Sequence, residues 1–253
     1  MARYPINPEL ITLLSKQDAV FLLDLTHKCL SCNTKEELKG LILRLKHLIS
    51  HDYALIGFAA VGEEGMKDGF DIVNVSYPDE WLALYVSDQL HRIDPVPRHN
   101  FTKFDGQYWK DTYKIYNTPK EFISKAADFG LVSGYTFGAR DLRGTHGSLL
   151  SVSGRNMKRD RRTELILELV TPHFHQCFER IVRAKYATSP PSPREKEVLK
   201  WIGQGKSTWE VAMILGISER TVKFHLQNVM RKLNAVSRPH AIALGLELGI
   251  IDL

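Results

Sequence analysis

The amino-acid sequence predicts an α+β chain, in which an N-terminal α-β-α sandwich precedes a C-terminal all-α four-helix domain with a helix-turn-helix. Three observations predict this division. The 253 residues exceed the usual length of one domain, so that one medium and one small domain are expected. The net positive charge is confined to a C-terminal segment. Capping and turn signals divide that segment into short helices, whereas helical and strand-like apolar patterns alternate before it.

Composition excludes several classes of protein. Hydrophobic residues make up 43% and charged residues 25%, as in an ordinary soluble globular protein. No apolar run approaches the roughly 18 residues that suggest a membrane span. The opening "MARYPINPEL" lacks the pattern of a signal peptide. We therefore expect a cytoplasmic protein that does not associate with a membrane.

The charge is unevenly placed along the chain. Residues 192–240 contain nine Lys or Arg against four Asp or Glu, a surplus equal to that of the whole chain, which has 34 against 29. A basic surplus on a small unit is expected of a protein that binds the phosphate backbone of nucleic acid. Charge alone would equally suit an acidic protein partner or a membrane surface.

The first domain, residues 1–182, follows from its apolar patterns in chain order. Helices are predicted near 8–30 and 34–50, strands at "YALIGFAAV" and "FDIVNVS", helices at 79–89 and 119–129, strands at "GYTFGAR" and "GSLLSVSG", and a long helix at about 159–184. Helices flanking one antiparallel sheet form an α-β-α sandwich. The long helix carries more apolar residues than one sheet face needs, so we expect it to form much of a homodimer contact through Leu165, Ile166, Leu169, Phe174 and Ile181.

A linker, "RAKYATSPP" at 183–191, precedes the second domain at 192–253. "SPRE" at 192–195 is a capping box with proline at the first helical position, and "STWE" at 207–210 is a second capping box. The second helix must end near Gly216, and Ser218 can cap the next one. Two helices joined by so short a turn have helix-turn-helix spacing. A fourth helix is predicted to begin at 237–239.

The helix that begins after Ser218 has two different faces. Its inner face is apolar: Val222, Leu226, Val229 and Leu233. Its outer face is basic, rich in amides and aromatic: Arg220, Lys223, Phe224, Gln227, Asn228 and Arg231. The second helix of such a motif enters the major groove, where arginine suits guanine, glutamine suits adenine and an apolar ring meets a thymine methyl group. Double-stranded DNA therefore explains an exposed phenylalanine that a solvated surface helix would not.

These residues closely resemble the DNA-binding domain of the LuxR/FixJ class. Glu195, Leu199 and Gly205 match the recurrent Glu, Leu and Gly of that class, and "ISERTVKFH" matches the entry of its recognition helix. The resemblance implies base contacts from Lys223, Phe224 and Gln227. It also implies phosphate contacts from Thr221 and Arg231.

The first domain has its own set of spaced residues. Trp81, Tyr85, Asp94, Pro95 and Trp109 stand at the spacing found in the acyl-homoserine-lactone receptors of quorum sensing, and "FGLVSG" at 129–134 resembles the glycine region of those receptors. The resemblance implies a dimeric regulator that binds an acyl-homoserine lactone and DNA, and that contacts RNA polymerase if it is an activator. Without that spacing, the two tryptophans and two tyrosines within residues 77–109 would suit an ordinary core, and Asp94-Pro95 an ordinary turn.

The resemblance assigns a role to each residue of the ligand site. Such a lactone has one amide N–H and two carbonyl groups, and each buried polar group that lacks a partner costs about 1–3 kcal/mol. Asp94 would accept from the amide N–H, Trp81 would donate to the lactone carbonyl, and the hydroxyls of Tyr77 and Ser151 would donate to the amide carbonyl. Apolar walls would come from Tyr85, Trp109 and Leu131.

Other functions find less support in the sequence. There is no nucleophile elbow and no paired-carboxylate pattern, so we expect no catalysis and no cofactor. Cys29 and Cys32 have the spacing of a zinc pair, but no second pair exists, and we expect free thiols and no metal site. Two alternatives stay open: a regulator that responds to a different small molecule or to none, and an enzyme or interaction domain fused to a helix-turn-helix.

Overall fold

The computed structural model describes residues 7–62, 65–142, 144–186, 190–233 and 235–252. The chain divides into two compact units, Met1–Ile181 and Val182–Leu253. No helix within the described ranges is both long enough and apolar enough to cross a membrane.

The first unit contains a five-stranded antiparallel sheet and eight helices within the described residues. The strands are β1 (Tyr53–Gly62), β2 (Gly65–Asn74), β3 (Gln107–Tyr108), β4 (Ser133–Arg140) and β5 (His146–Gly154). The helices are α1 (Glu9–Leu13), α2 (Lys16–Cys29), α3 (Lys35–Leu43), α4 (Asp79–Ser87), α5 (Pro95–Lys103), α6 (Trp109–Ile115), α7 (Lys120–Asp128) and α8 (Arg161–Tyr186). The α-β-α sandwich expected from the sequence is therefore confirmed.

Several element boundaries differ from those expected. The helix predicted at 8–30 is broken at Ser15, whose hydroxyl accepts from the backbone of Asp18 and starts α2 with a capping box. Helix α3 ends at Leu43 in a short 3-10 turn, and α8 extends to Tyr186, into the expected linker. Helices α5 and α6 and strand β3 were not predicted, because prolines at 95 and 97 hide the helical pattern and the other two elements are short.

The sheet has the strand order β2-β1-β5-β4-β3, so β1 pairs with β5 although about 90 residues separate them. The cross-strand register creates two rows of side chains on one face. The first row is Asn74, Leu55, Ser151 and Thr136, and we call it the polar row because three of its four side chains are polar. The apolar row, about 6.5 Å further along the strands, is Ile72, Gly57, Leu149 and Gly138.

Helix α5 packs closely on this face of the sheet because glycines make room for it. A Cβ atom on Gly138 would lie 2.5 Å from Oδ1 of Asn100, and one on Gly147 would lie 2.4 Å from the ring of Phe104. Both contacts are closer than real side chains tolerate. The close approach holds α5 against this face of the sheet.

The opposite face of the sheet is covered by α8. Ser148 Oγ lies 2.7 Å from Nδ1 of His175, and the ring of Phe58 stacks on the same histidine. Burial lowers the pKa of His175 to about 4, so the imidazole is neutral at pH 7.

The expected dimer contact through α8 is wrong for most of its residues. Leu165, Ile166, Phe174 and Ile181 are buried within the protomer itself, and Leu169 is half-buried. The reason is that α8 is covered on two sides, by the sheet and by the N-terminal helices. On the second side, the Cys177 thiol donates to the carbonyl of Cys29, and Arg180 donates to the carbonyls of Cys29 and Cys32. All three cysteines are free and buried.

The second unit contains four helices in residues 190–233 and 235–252. They are α9 (Pro193–Gly203), α10 (Thr208–Leu215), α11 (Glu219–Lys232) and α12 (Arg238–Glu247). Both predicted capping boxes are present, and Ser218 accepts from the backbone N–H of Thr221 as expected. Gly216 ends α10 with a φ of 64°, a conformation that glycine adopts without strain. The predicted four-helix domain is confirmed.

Candidate functional site

A cavity of about 390 Å³ lies between the sheet and helices α4 to α7. This volume is typical of small-molecule sites in proteins. All seven residues predicted to contact a ligand line it: Tyr77, Trp81, Tyr85, Asp94, Trp109, Leu131 and Ser151. The structure thus brings together residues spread over about 75 positions of the sequence.

Asp94 is the only carboxylate among the described residues that line the cavity, and two donors hold it. The backbone N–H of Val96 donates to Oδ1 at 2.9 Å, so that Asp94 also caps α5. The hydroxyl of Tyr85 donates to Oδ2, again at 2.9 Å. Burial raises the pKa of Asp94 to about 6, and the two donors oppose that rise. The carboxylate is therefore mostly ionised at pH 7 and keeps lone pairs for a further donor.

A chain of hydrogen bonds leads from Trp109 to the polar row. The indole N–H of Trp109 donates to Oγ1 of Thr136 at 2.9 Å, and Oγ1 of Thr136 lies 2.7 Å from Oγ of Ser151. If Thr136 donates to Ser151, the Ser151 proton stays free to meet a group in the cavity. Thr136 was not among the predicted residues, and only its register opposite Ser151 identifies it.

Two more polar groups of the predicted set face the cavity. Trp81 is 4% exposed, and no atom in the described part of the chain accepts a hydrogen bond from its indole N–H. The hydroxyl of Tyr77 accepts a long bond of 3.4 Å from Ser153, which leaves the Tyr77 proton free. Burial raises the pKa of Tyr77, so this hydroxyl remains protonated.

The remainder of the cavity is apolar. The apolar row supplies Ile72 and Leu149, while Val96 and Phe101 come from α5. Gly57 lies in the middle of that row, and a Cβ atom there would meet only Leu149, at 3.5 Å. The missing side chain at Gly57 leaves space that an alkyl chain can fill.

On α11, the structure separates the two faces as the sequence predicts. Val222, Leu226, Val229 and Leu233 are buried in the core of the second unit. Lys223, Gln227 and Arg231 are exposed, Phe224 is 57% exposed and Thr221 is partly buried at the cap. Arg231 also donates to the side chain of Asn228 at 3.3 Å.

The described residues contain no group of three or more His, Cys, Asp or Glu side chains placed to hold a metal ion. Burial raises the pKa of the Cys32 thiol to about 12. A hydrogen bond with Cys29, together with burial, raises the pKa of Cys177. Buried thiols with raised pKa values are poor nucleophiles and poor ligands.

Each of the two units matches a known protein family. A family model described as the autoinducer binding domain matches residues 34–178. A second model, for bacterial regulatory proteins of the luxR family, matches residues 190–244.

The relatives align with most of the chain. RpaR of Rhodopseudomonas palustris, a quorum sensing-dependent transcriptional regulator, is 36% identical over an alignment of 227 positions that covers 86% of this chain and 90% of RpaR. The transcriptional activator VanR of Vibrio anguillarum is 29% identical over 86% of this chain and 92% of its own. Among solved structures, SdiA of Escherichia coli superposes with a TM-score of 0.67 at 25% identity, covering 93% of this chain and 99% of SdiA.

Proposed function

The chain belongs to the LuxR family of quorum-sensing transcriptional regulators, with an autoinducer-binding and a DNA-binding domain, and from that premise we propose that its autoinducer is an N-acyl-homoserine lactone. The family consists of regulators rather than enzymes. In the proposal, the lactone occupies the cavity of the first unit, and α11 of the second unit reads a two-fold DNA operator.

The observation that carries the proposal is the match between the polar groups of the cavity and those of the ligand. The cavity offers one buried carboxylate acceptor at Asp94 and N–H and O–H donors at Trp81 and Tyr77, with Ser151 beside them. An acyl-homoserine lactone has one amide N–H and two carbonyl oxygens. Each ligand group therefore finds a partner, and none is buried unpaired.

The placement of the rows orients the ligand. The head group lies among the side chains of Trp81, Trp109 and Leu131, and the amide lies over the polar row. The alkyl chain then continues over Gly57 into the apolar row. Burial of alkyl groups stabilises the complex by about 0.8 kcal/mol for each CH₂ group.

The DNA-binding proposal follows from α11. Lys223, Phe224 and Gln227 are the proposed base contacts, and Thr221 and Arg231 the proposed phosphate contacts. A two-fold operator requires two such helices about 34 Å apart, so the protein is proposed to bind as a homodimer. An activator of this kind also contacts RNA polymerase.

The direct test of the ligand is extraction of the purified protein with organic solvent, followed by mass spectrometry. The protein is then titrated with acyl-homoserine lactones of several chain lengths while its melting temperature is measured, since a ligand that binds the folded form raises its stability. A lactone in the extract, or a rise in melting temperature with one chain length, supports the proposal.

One further probe separates the proposal from a different small molecule. A solved SdiA structure contains octanoyl-rac-glycerol, which has an acyl chain but no amide. If octanoylglycerol raises the melting temperature and no lactone does, the lactone proposal is wrong and the family member responds to another acyl compound. Sedimentation with lactone and operator tests the dimer, and a monomer at micromolar concentration contradicts it.

A further inference from the structure

The hydroxyl of Tyr113, on helix α6, lines the cavity without a partner. The side chain is only 8% exposed, and no atom in the described part of the chain forms a hydrogen bond with the hydroxyl. Buried tyrosine hydroxyls ordinarily find a partner, because an unpaired buried donor is costly. The Tyr113 hydroxyl is therefore a buried donor that neither the fold nor the proposed ligand contacts account for.

The ring contacts of Tyr113 place it at the end of the cavity that holds the head group. Its ring packs edge-on against Phe122 at a centroid distance of 6.1 Å, and Phe122 also packs against Trp81 at 6.2 Å. The indole of Trp109 lies 6.5 Å away on another side. Tyr113 and Trp81 thus flank the same phenylalanine, and both belong to the cluster that contains Leu131.

The polar neighbours give the same position. Burial raises the pKa of Tyr113, and the nearby charge of Asp94 and the Tyr77 side chain raise it further. The hydroxyl therefore keeps its proton and is available as a donor. The carboxylate itself already accepts from Tyr85 and Val96 and, under the proposed function, from the ligand amide.

We propose that Tyr113 is a specificity-determining residue, whose hydroxyl donates a hydrogen bond to an oxygen of the lactone ring alongside the bond from Trp81. This inference rests on the proposed function. The lactone ring has two oxygens, and the carbonyl oxygen has two lone pairs, so that a second donor finds an acceptor beside the first. A site with two donors aimed at the ring selects an oxygen-bearing ring over a hydrocarbon ring of equal size.

The experiment compares two ligands in two proteins. N-octanoyl-homoserine lactone and N-octanoyl cyclopentylamide share the alkyl chain, the amide and a five-membered ring, but the second lacks both the ring oxygen and the carbonyl oxygen of the lactone. Affinities of the full-length wild type and of Tyr113→Phe are measured by calorimetric titration. For the lactone, the loss of one neutral hydrogen bond should weaken binding about three- to tenfold in Tyr113→Phe. For the cyclopentylamide, the two proteins should bind about equally.

The matched control is Tyr116→Phe, which removes the hydroxyl bonded to His99 in a residue that does not line the cavity. It should leave both affinities unchanged. Equal weakening of both ligands in Tyr113→Phe would show that the hydroxyl acts on a group that the two ligands share and not on the lactone oxygens, and unchanged lactone binding would show that the hydroxyl makes no contact. Either result overturns the inference while the proposed function stands. A wild type that binds no lactone of any chain length contradicts the proposed function itself.

Discussion

The Tyr85 hydroxyl donates to Oδ2 of Asp94 across 2.9 Å, and in doing so it holds a carboxylate that is buried in a largely apolar cavity. Burial raises the pKa of a carboxylate, and without hydrogen-bond donors the group takes up a proton and becomes neutral. With Tyr85 on one oxygen and the Val96 N–H on the other, the pKa of Asp94 rises only to about 6. The first two predictions below depend on this pair of residues.

Asp94→Asn should weaken binding of an acyl-homoserine lactone by roughly one to two decades. The substitution keeps the size of the side chain but removes the charge, and hydrogen bonds to charged groups contribute about 1.5–3 kcal/mol. The amide of asparagine can also place an N–H group beside the ligand N–H. The measurement is the rise in melting temperature of wild type and variant with the same lactone. An equal rise in both proteins, with Asp94→Asn normally folded, would mean that Asp94 does not accept from the ligand.

Lactone affinity should fall as the pH is lowered through about 6, because binding uses the ionised form of Asp94. The sign follows from the titration: above the pKa the acceptor is present, and below it the ionised fraction falls about tenfold for each pH unit. Affinity at pH 5 should therefore be about tenfold lower than at pH 7.5, as measured by calorimetry. Tyr85→Phe should move the midpoint to higher pH, since the hydroxyl opposes the rise in pKa. Tyr108→Phe, whose hydroxyl donates to the Met157 carbonyl, is the control and should leave the midpoint in place.

Ser151→Ala should weaken lactone binding by about 0.5–1.5 kcal/mol, less than Asp94→Asn, because it removes a hydrogen bond between neutral groups. Thr136→Val should also weaken binding, although Thr136 does not itself line the cavity. Its hydroxyl lies between the Trp109 indole and the Ser151 hydroxyl, and its loss leaves both of them without that partner. Dissociation constants of the two single variants and the double variant test this chain. Fully additive losses would indicate that the two residues act independently.

Gly57→Val should discriminate between long and short acyl chains. A Cβ atom at this position has ordinary contact with Leu149, so the strand tolerates it, and the two added methyl groups project into the cavity. Overpacking of this kind typically costs about 1–3 kcal/mol. Binding of N-dodecanoyl-homoserine lactone should therefore weaken about tenfold or more, while binding of the N-butanoyl compound changes little. A uniform loss for both chain lengths would place the alkyl chain elsewhere.

On α11, Gln227→Ala should weaken binding to the specific operator by about 1–3 kcal/mol and relax the preference for one base pair. Arg231→Ala should weaken binding to all sequences and make the dependence on salt less steep by about one unit of slope. Gln204→Ala, an exposed glutamine at the end of α9, is the matched control. Titrations against operator and scrambled DNA at several salt concentrations measure all three variants. If Gln227→Ala kept the sequence preference of the wild type, Gln227 would not be one of the residues that contact the bases.

The second unit was predictable in detail because its signals are local. Each of its helices begins at a serine whose hydroxyl accepts from a backbone N–H three residues later. Such a contact involves four consecutive residues and can be read from four letters. The buried stripe of α11 follows in the same way from the period of the helix.

The first unit was predictable in outline and in its spaced polar residues, but several of its contacts were not. The apolar residues of α8 indicated an external partner, and the structure shows that the protomer itself buries most of them. Periodicity identifies which side of a helix is apolar, but it does not say how many neighbours in the fold will cover that side. For the same reason, the sequence did not predict the hydrogen bond from Cys177 to the carbonyl of Cys29, because the two residues are about 150 positions apart.

By itself, the sequence determined the order of the domains, the sandwich and helix-turn-helix classes, the caps and seven of the residues that line the cavity. Only the tertiary structure decided that Tyr85 donates to Asp94, that Thr136 stands behind Ser151, that Gly57 opens the apolar row and that Tyr113 has an unpaired hydroxyl. The physical reason is that these relationships depend on the pairing of β1 with β5 and on the approach of α5 and α6 to the sheet. Strand register and helix packing are set by the sum of many distant contacts, and no spacing along the chain encodes them.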